Sequence, residues 1–311
     1  MEFLTQYGLF LLKSITVVIA CLIVFAGFFS MSRKPKPKLE VISLNEHYDH
    51  IISTMNKKVL GEKPPKKKKN KDKKPTLYVI DFHGDIRASQ VEQLREEITA
   101  ILCTAKPEDE VLVRLDSPGG IVNTYGLAAS QLQRIRDKNI PLTVSIDKMA
   151  ASGGYLMACV ANQIIAAPFA IIGSIGVVAQ IPNFHRWLKK HDIDVELLTA
   201  GEYKRTLTLF GENTEKGREK AQDDLEKIHA AFRNYVAGNR EQLDIDEVST
   251  GEHWLAKDAF ALKLVDKLCT SDDYLIEKIA NYKAFKLNVP PKSSLTNKLL
   301  KPAMRLMHPW G

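Results

Sequence analysis

Three short stretches of this 311-residue chain carry residue types that could perform acyl transfer. Ala150-Ala151-Ser152-Gly153-Gly154-Tyr155 presents one hydroxyl among residues too small to block a substrate, at the start of an apolar run that reads as a buried helix. About 30 residues earlier, Asp116-Ser117-Pro118-Gly119-Gly120 offers a glycine pair whose backbone can approach a ligand closely and donate N–H groups. About 50 residues after the serine, Gly201-Glu202-Tyr203-Lys204 supplies an amine. A nucleophile, oxyanion donors and a proton acceptor are the three parts that hydrolysis through an acyl-enzyme requires.

Each part has an ordinary reading as well. A serine just before a helix is commonly an N-cap, and Ser152 does not sit in a Gly-x-Ser-x-Gly elbow. Ser117-Pro118-Gly119-Gly120 also reads as a plain turn between strand and helix. A phosphate loop would need Gly-x-Gly-x-x-Gly or Gly-Lys-Ser/Thr, and neither is present. Eight histidines are available as the base, at His47, His50, His83, His185, His191, His229, His253 and His308. The window from Gly173 to Gln180 holds none of them, and His185 and His191 read as surface residues. A lysine serves as a base when burial leaves it neutral, which makes Lys204 the candidate. Lys148 is its rival, but four residues from Ser152 across a strand-to-helix turn the two side chains point apart.

The net charge of +7 is unevenly spread. Between Arg33 and Lys74 there are 14 Lys and Arg against five Asp and Glu, so this stretch carries about +9 and the rest of the chain is slightly acidic. The excess belongs to a linker rather than to a folded basic face, which argues against a nucleic-acid partner. The four cysteines, Cys21, Cys103, Cys159 and Cys269, show no Cys-x-x-Cys or Cys/His pattern of a zinc site. Cys159, inside an apolar run, is expected to be a small buried hydrophobe.

The N-terminal apolar stretch, Leu9–Leu12 and Ile15–Phe29, has the length of a bilayer-spanning helix. No basic residue precedes Lys13, and Ser30-Met31-Ser32 is a poor cleavage site, so an uncleaved anchor is favoured over a cleaved signal. Arg33, Lys34, Lys36 and Lys38 follow at once and place the rest of the chain on the cytoplasmic side. Residues 44–61 show helical spacing suited to the membrane surface or to packing on the following domain. The lysine-rich run from Pro64 to Pro75 reads as a solvated tether, or as a clamp on anionic lipid headgroups.

From Thr76 strands and helices alternate. Strands are expected at Leu77–Phe82, Glu110–Leu115, Leu142–Ile146, Gln163–Ala166, Val177–Ile181 and Val195–Leu198. Helices are expected at Ala88–Ala105, Asn123–Asp137, Gly153–Ala161, His185–Lys190, Glu215–Arg240 and about Asp273–Asn281. Such alternation predicts an α/β domain with mostly parallel strands. The chain thus divides into a membrane anchor over 1–31, a juxtamembrane segment and lysine-rich linker over 32–75, a catalytic domain over 76–282 and a tail over 283–311.

The ordered set Asp116–Gly120, Ala150–Tyr155, Gly173-Ser174-Ile175-Gly176-Val177 and Gly201–Lys204 resembles the signal peptide peptidase A family of membrane-anchored bacterial serine proteases. Ala167-Pro168-Phe169-Ala170, Lys204-Arg205-Thr206-Leu207-Thr208, Gly211-Glu212-Asn213-Thr214 and Thr250-Gly251-Glu252-His253-Trp254 bring it nearest to the SohB branch. The resemblance covers roughly residues 40–275. It implies a ClpP/crotonase-like spiral of ββα units, with Ser152 as nucleophile and Lys204 as general base. It further implies that Ser174 orients the lysine and that Gly120 and Gly153 donate N–H groups to the oxyanion. It implies no metal or organic cofactor, a homo-oligomer, and membrane-derived peptides or misfolded proteins as substrates. The chain carries one protease unit where longer relatives carry two. The best-known relatives work outside the cytoplasm, so the resemblance keeps the periplasmic face open against the charge rule.

Two rivals stand beside this reading. A crotonase-type acyl-CoA enzyme shares the backbone oxyanion device, but it usually needs a carboxylate near the glycine pair, where Asp116 alone is available, and it has no use for an anchor. A catalytically silent scaffold organising membrane proteins would keep the fold without turnover.

Overall fold

The computed structural model describes residues 2–32, 39–61 and 74–290, so the Lys-rich run lies largely outside the described residues, as does the chain from 291. The chain divides into two units, one containing the N-terminal helix and the other spanning Val41–Asn288. In the first, α1 (Glu2–Ser32) contains the window Thr5–Leu22, whose mean hydropathy is 1.6 and whose side chains are uncovered. By length and composition this helix is long and apolar enough to cross a membrane. Two of its hydroxyls bond back within the helix: Ser14 donates to the Phe10 carbonyl at 2.9 Å and Thr16 to the Leu12 carbonyl at 2.6 Å.

The second unit opens with β1 (Glu40–Ser43) and α2 (Leu44–Met55), whose first turn is capped by the Ser43 hydroxyl accepting from the Glu46 N–H. One π turn, Asn56–Leu60, continues α2 and stops at Gly61 in a left-handed conformation. There follow β2 (Thr76–His83), α3 (Val91–Leu102), β3 (Glu110–Asp116), α4 (Val122–Arg136), β4 (Leu142–Ile146), β5 (Met149–Ala151), α5 (Gly153–Ala158), β6 (Gln163–Ala166) and β7 (Ile171–Gly173). The remainder holds α6 (His185–Lys189), α7 (Glu215–Asn239), α8 (Ile245–Val248), β8 (His253–Leu255), α9 (Ala256–Ala261), β9 (Lys267–Leu268), α10 (Ser271–Ile279) and β10 (Lys283–Asn288).

Seven strands form one sheet in the order β1-β10-β2-β3-β4-β6-β9, and every pair from β10 to β9 is parallel. Parallel sheets are covered on both faces, and the residues show it. In β2, Ile80 and Phe82 join the larger apolar cluster with α3 and α4, while Leu77 and Val79 face the smaller one with Tyr274 and Leu275 of α10. All five residues of β4 are buried. The second face also carries charge. Arg114 donates two hydrogen bonds to Asp81, at 2.7 and 2.8 Å, and Lys286 lies 2.7 Å from the same carboxylate. Burial alone would raise the pKa of Asp81, but these two cations outweigh it and hold the carboxyl below its ordinary range.

A second, three-stranded sheet explains the architecture. β5 pairs in parallel with β7, and β7 antiparallel with β8. The chain repeatedly runs along a strand of the large sheet, makes a short strand in the small one, and continues into a crossover. Thus β3 passes through Ser117, bridged to Ala150, into α4; β4 passes through β5 into α5; and β6 passes through β7. This is the spiral of ββα units that the resemblance implies, in the α/β class expected. Its consequence is local: Gly119-Gly120, Ser152 and Ser174 each lie just beyond neighbouring small-sheet residues, with Ala151 paired to Gly173.

Two expected strands are absent. Val177–Ile181 and Val195–Leu198 have no regular structure. Both stretches are apolar and β-branched, but a strand needs a hydrogen-bonded neighbour, and this segment leaves the sheets between Gly173 and Glu215. Conversely, β10 occupies a run that carries no strand pattern, and the strands β5, β7, β8 and β9 are too short to show one. Cys159 is buried as expected, and burial pushes its thiol up to about 12.

Candidate active site

Ser152 occupies the N-cap position of α5 without acting as a cap, because its side chain accepts no hydrogen bond from the helix. Its backbone has φ 52° and ψ −117°, a conformation that costs a non-glycine residue free energy on the order of 1–3 kcal/mol. The strand pairing holds it there. The Ser152 N–H donates to the Gly173 carbonyl at 2.8 Å and the Ala151 N–H to the Ser117 carbonyl at 3.0 Å. Ser174, one step along the neighbouring strand, also has positive φ, 54°, and its N–H donates to the Glu252 carbonyl at 2.5 Å.

The glycine turn packs directly on this serine. Gly119 has φ +83°, and a Cβ placed on it would lie 2.7 Å from the Ala151 carbonyl and 2.7 Å from the Gly153 nitrogen. Only glycine allows that approach. Gly120 lines the same cleft as Ser152, and Gly153 is the first residue of α5, where N–H groups have no helical partner. The arrangement supplies backbone donors beside a hydroxyl, at the positive end of a helix.

A polar chain fixes the glycine turn. The Gly119 N–H donates to Ser117 Oγ at 3.1 Å, Ser117 Oγ and Tyr125 Oη are 2.7 Å apart, and Tyr125 Oη donates to the Asp85 carbonyl at 2.8 Å. Since the tyrosine proton is committed to Asp85, Ser117 donates to Tyr125. Burial raises the pKa of Tyr125 and the Asp85 charge adds to this against the Ser117 hydrogen bond, so the phenol keeps its proton. Tyr125→Phe removes the acceptor of a fully buried hydroxyl, a loss of about 1–3 kcal/mol. We expect a lower Tm and a roughly tenfold lower kcat with KM little changed, measured by thermal unfolding and steady-state kinetics. A kcat equal to wild type would show that this chain does not position the turn.

These elements floor a cleft of about 990 Å³. Gly119, Gly120, Ser152, Gly153 and Ser174 line one side, with Ile86, Val122, Leu156, Val177 and Val178 around them. The other wall is α7, through Gln222, Leu225, Glu226, Ile228, His229, Ala231, Phe232 and Tyr235. Thr214 caps α7, its hydroxyl accepting from the Gly217 N–H at 3.1 Å. At the other end, Arg240 pairs bidentately with Asp266 at 2.7 and 2.8 Å, and Asp266 also accepts the Ile164 N–H of β6. The wall is therefore tied to β6 of the seven-stranded sheet.

Of the site residues read from the sequence, the structure gathers Ser152, Gly120, Gly153 and Ser174 at this cleft. Lys204 does not line it; it is exposed, on a turn closed by its own N–H donating to the Gly201 carbonyl at 3.2 Å. That turn borders α7: Glu202 pairs with Lys216 at 2.5 Å, and the Tyr203 ring lies 5.9 Å from Lys216 Nζ and 5.8 Å from Lys220 Nζ. The rival Lys148 is exposed and lies 3.4 Å from Asp116.

Two further residues line the cleft that no sequence motif singles out. Tyr125 sits within a helix that looked ordinary. His229 lines the cleft, with Nε2 2.9 Å from the Ser249 carbonyl and 3.2 Å from the Ile175 carbonyl. Both partners are acceptors, so Nε2 carries the proton. Its position in the middle of a charged amphipathic helix, 77 residues beyond Ser152, gave no signal.

A model of "Peptidase family S49" matches residues 134–285, and one of "Peptidase family S49 N-terminal" matches residues 2–132. The "Probable protease SohB" of Haemophilus influenzae is 48% identical, across 96% of this chain and 92% of its own. Its namesake in Buchnera aphidicola subsp. Schlechtendalia chinensis is 50% identical, across 89% of this chain and 100% of its own. Among solved structures, a mutant of the 1510-N membrane-bound stomatin-specific protease is similar, with TM-score 0.48 and 15% identity, covering 70% of this chain and 99% of that one. The chain belongs to peptidase family S49 and to its SohB branch. It is a serine peptidase, a hydrolase of peptide bonds.

Proposed function

We propose that this chain is a membrane-anchored endopeptidase in which Ser152 attacks the scissile carbonyl and Lys204 is the base. The observation that carries the reading is the Ser152 hydroxyl, free of any cap bond and held at φ 52° in a cleft that Gly120 and Gly153, each with a backbone N–H, also line. The carbonyl oxygen becomes an oxyanion held by those two N–H groups, and the amine leaves with the proton first taken from Ser152. Water then hydrolyses the acyl-enzyme with the same base. Ser174 orients the amine of Lys204. The apolar lining suits extended segments of membrane-derived peptides or misfolded proteins, which expose the side chains that folded proteins bury.

A solvated lysine holds its proton at neutral pH and is no base. Lys204 must therefore leave solvent for the dyad to work. The segment that carries it leaves the cleft after Val178, returns at Gln222, and exposes Ile193, Val195, Leu197 and Leu198, the last at 91%. A second copy of the chain packed over these side chains would bury them, supply the neighbour that Val195–Leu198 lacks, and close Lys204 over Ser152. The working enzyme is then a homo-oligomer. Val195→Asp with Leu198→Asp should lower the mass measured by sedimentation and reduce peptide hydrolysis at least tenfold. An unchanged mass with unchanged activity would contradict this assembly.

In this reading α1 anchors the enzyme in the bacterial inner membrane, with lipid as its partner and Arg33, Lys34, Lys36 and Lys38 keeping the catalytic domain in the cytoplasm. A second base is favoured by one observation. His229 lines the cleft with its proton fixed on Nε2, which leaves Nδ1 free to accept. The pH profile described below separates the two. Hydrolysis of casein by the full chain tests the proposal as a whole. Turnover that depends on Ser152 supports it, whereas a folded chain that hydrolyses no peptide and binds membrane proteins instead is the silent scaffold.

A further inference from the structure

The apolar stripe of α2 continues past the surface that covers it. Leu44, Tyr48, Ile51, Ile52 and Met55 recur at the spacing of one helical face, and Glu46, Asp49, His50 and Ser53 lie away from it. The first turn of the stripe is docked: Leu44 and Tyr48 pack on the cluster of Tyr274, Leu275 and Ile279. Asn45 locks the seat by donating to the Tyr282 carbonyl at 3.1 Å and accepting the Ala284 N–H at 2.7 Å. Beyond that turn the same face is largely uncovered by the described residues: Ile51, Ile52, Met55, Val59 and Leu60 are 43–65% exposed. On the neighbouring edge strand, Val41 and Ile42 are exposed as well.

We propose that this uncovered half of the stripe is a lipid-docking surface that lays the peptidase domain against an anionic bilayer. The charge beside it matches that partner. Lys57 and Lys58 occupy the last turn, and eight further lysines follow between residues 62 and 74. Chain length supports it too. Seven residues, four of them Lys or Arg, join Ser32 to Glu40, and fully extended they reach at most about 25 Å. A bilayer that holds α1 is thus within reach of β1 and α2. The proposal rests on the reading of α1 as an anchor. It adds a second, shallow attachment that orients the domain, because the docked first turn fixes the helix to α10 and to β10 of the seven-stranded sheet.

The test uses the full chain with Cys21, Cys103 and Cys269 replaced by alanine and an environment-sensitive fluorophore on Met55→Cys or, on the opposite face, Glu46→Cys. Each is reconstituted in phosphatidylcholine–phosphatidylglycerol vesicles with and without brominated acyl chains. Expected is at least twofold quenching of the probe at position 55, little at position 46, and a weaker effect without phosphatidylglycerol. Vesicle flotation after an alkaline carbonate wash reports on α1 separately. Protein that floats after the wash with position 55 unquenched overturns the docking surface and leaves the anchor standing. Quenching at neutral pH with loss of protein in carbonate overturns the anchor and leaves the docking surface. A position 55 probe that is shielded equally in detergent and in vesicles means that a second copy or another part of the chain covers the face, and this overturns the proposal.

Discussion

Ser152→Ala is expected to lower the turnover of casein or of an apolar peptide by about 10³-fold or more while leaving the protein folded. The separation is possible because the Ser152 hydroxyl does no structural work. It makes no cap bond to α5, and the turn is held by backbone pairing through the Ser152 and Ala151 N–H groups. Removing the oxygen therefore leaves the Gly120 and Gly153 donors in place and takes away only the nucleophile. Ser152→Gly should be equally inactive and more stable, by about 1 kcal/mol, since glycine relieves the positive φ. Steady-state kinetics and thermal unfolding read the two effects separately. A loss of less than roughly tenfold in Ser152→Ala would remove the residue from the chemistry.

The second large effect concerns the base. Lys204→Ala is expected to cost about 10²–10⁴-fold in kcat/KM, the range of a positioned general base. The proposed role sets the sign of the pH dependence: a base must act as the neutral amine, so the rate should rise with pH. His229→Ala should be milder, because its Nε2 joins the Ser174–Gly176 stretch to the Ser249 carbonyl but touches no reacting atom in the dyad account. A profile that turns near pH 6.5, the usual range of histidine, survives Lys204→Ala and disappears in His229→Ala would move the base to His229. The exposure of Lys204 makes a further demand. Dilution below the assembly concentration should lose activity at the same rate as oligomer.

The parts of the molecule that could be read in advance are those in which local pattern and burial agree. Leu77–Phe82, Glu110–Leu115 and Leu142–Ile146 are apolar runs that became parallel strands covered on both faces. The helices at α3, α4 and α7 followed from their 3.6-residue period. Patterns failed where the outcome depends on distant chain. Strands β5, β7, β8 and β9 are two or three residues long, too short for any period, yet the pairing of β5 with β7 and the bridge from Ala150 to Ser117 set Ser117, Ser152 and Ser174 side by side. Lysines hid β10, whose Ala284 and Leu287 nevertheless enter the core. Val177–Ile181 and Val195–Leu198 carried the composition of strands without a neighbour to pair with.

The site divides along the same line. Small residues around Ser152 and the Gly119-Gly120 pair were legible because close backbone approach demands glycine whatever the topology. Whether Ser152 caps its helix depends on torsion angles that no composition encodes. The cleft position of His229 is a product of how α7 crosses the sheet. The place of Lys204 depends on what covers its segment.

The most direct test of the central claim is labelling of the full chain with a serine-reactive phosphonate, followed by peptide mapping. The account predicts a single adduct on Ser152, formed faster as pH rises and at least a hundredfold more slowly in Lys204→Ala. An adduct on another serine, or none in an enzyme that hydrolyses peptide, would contradict it.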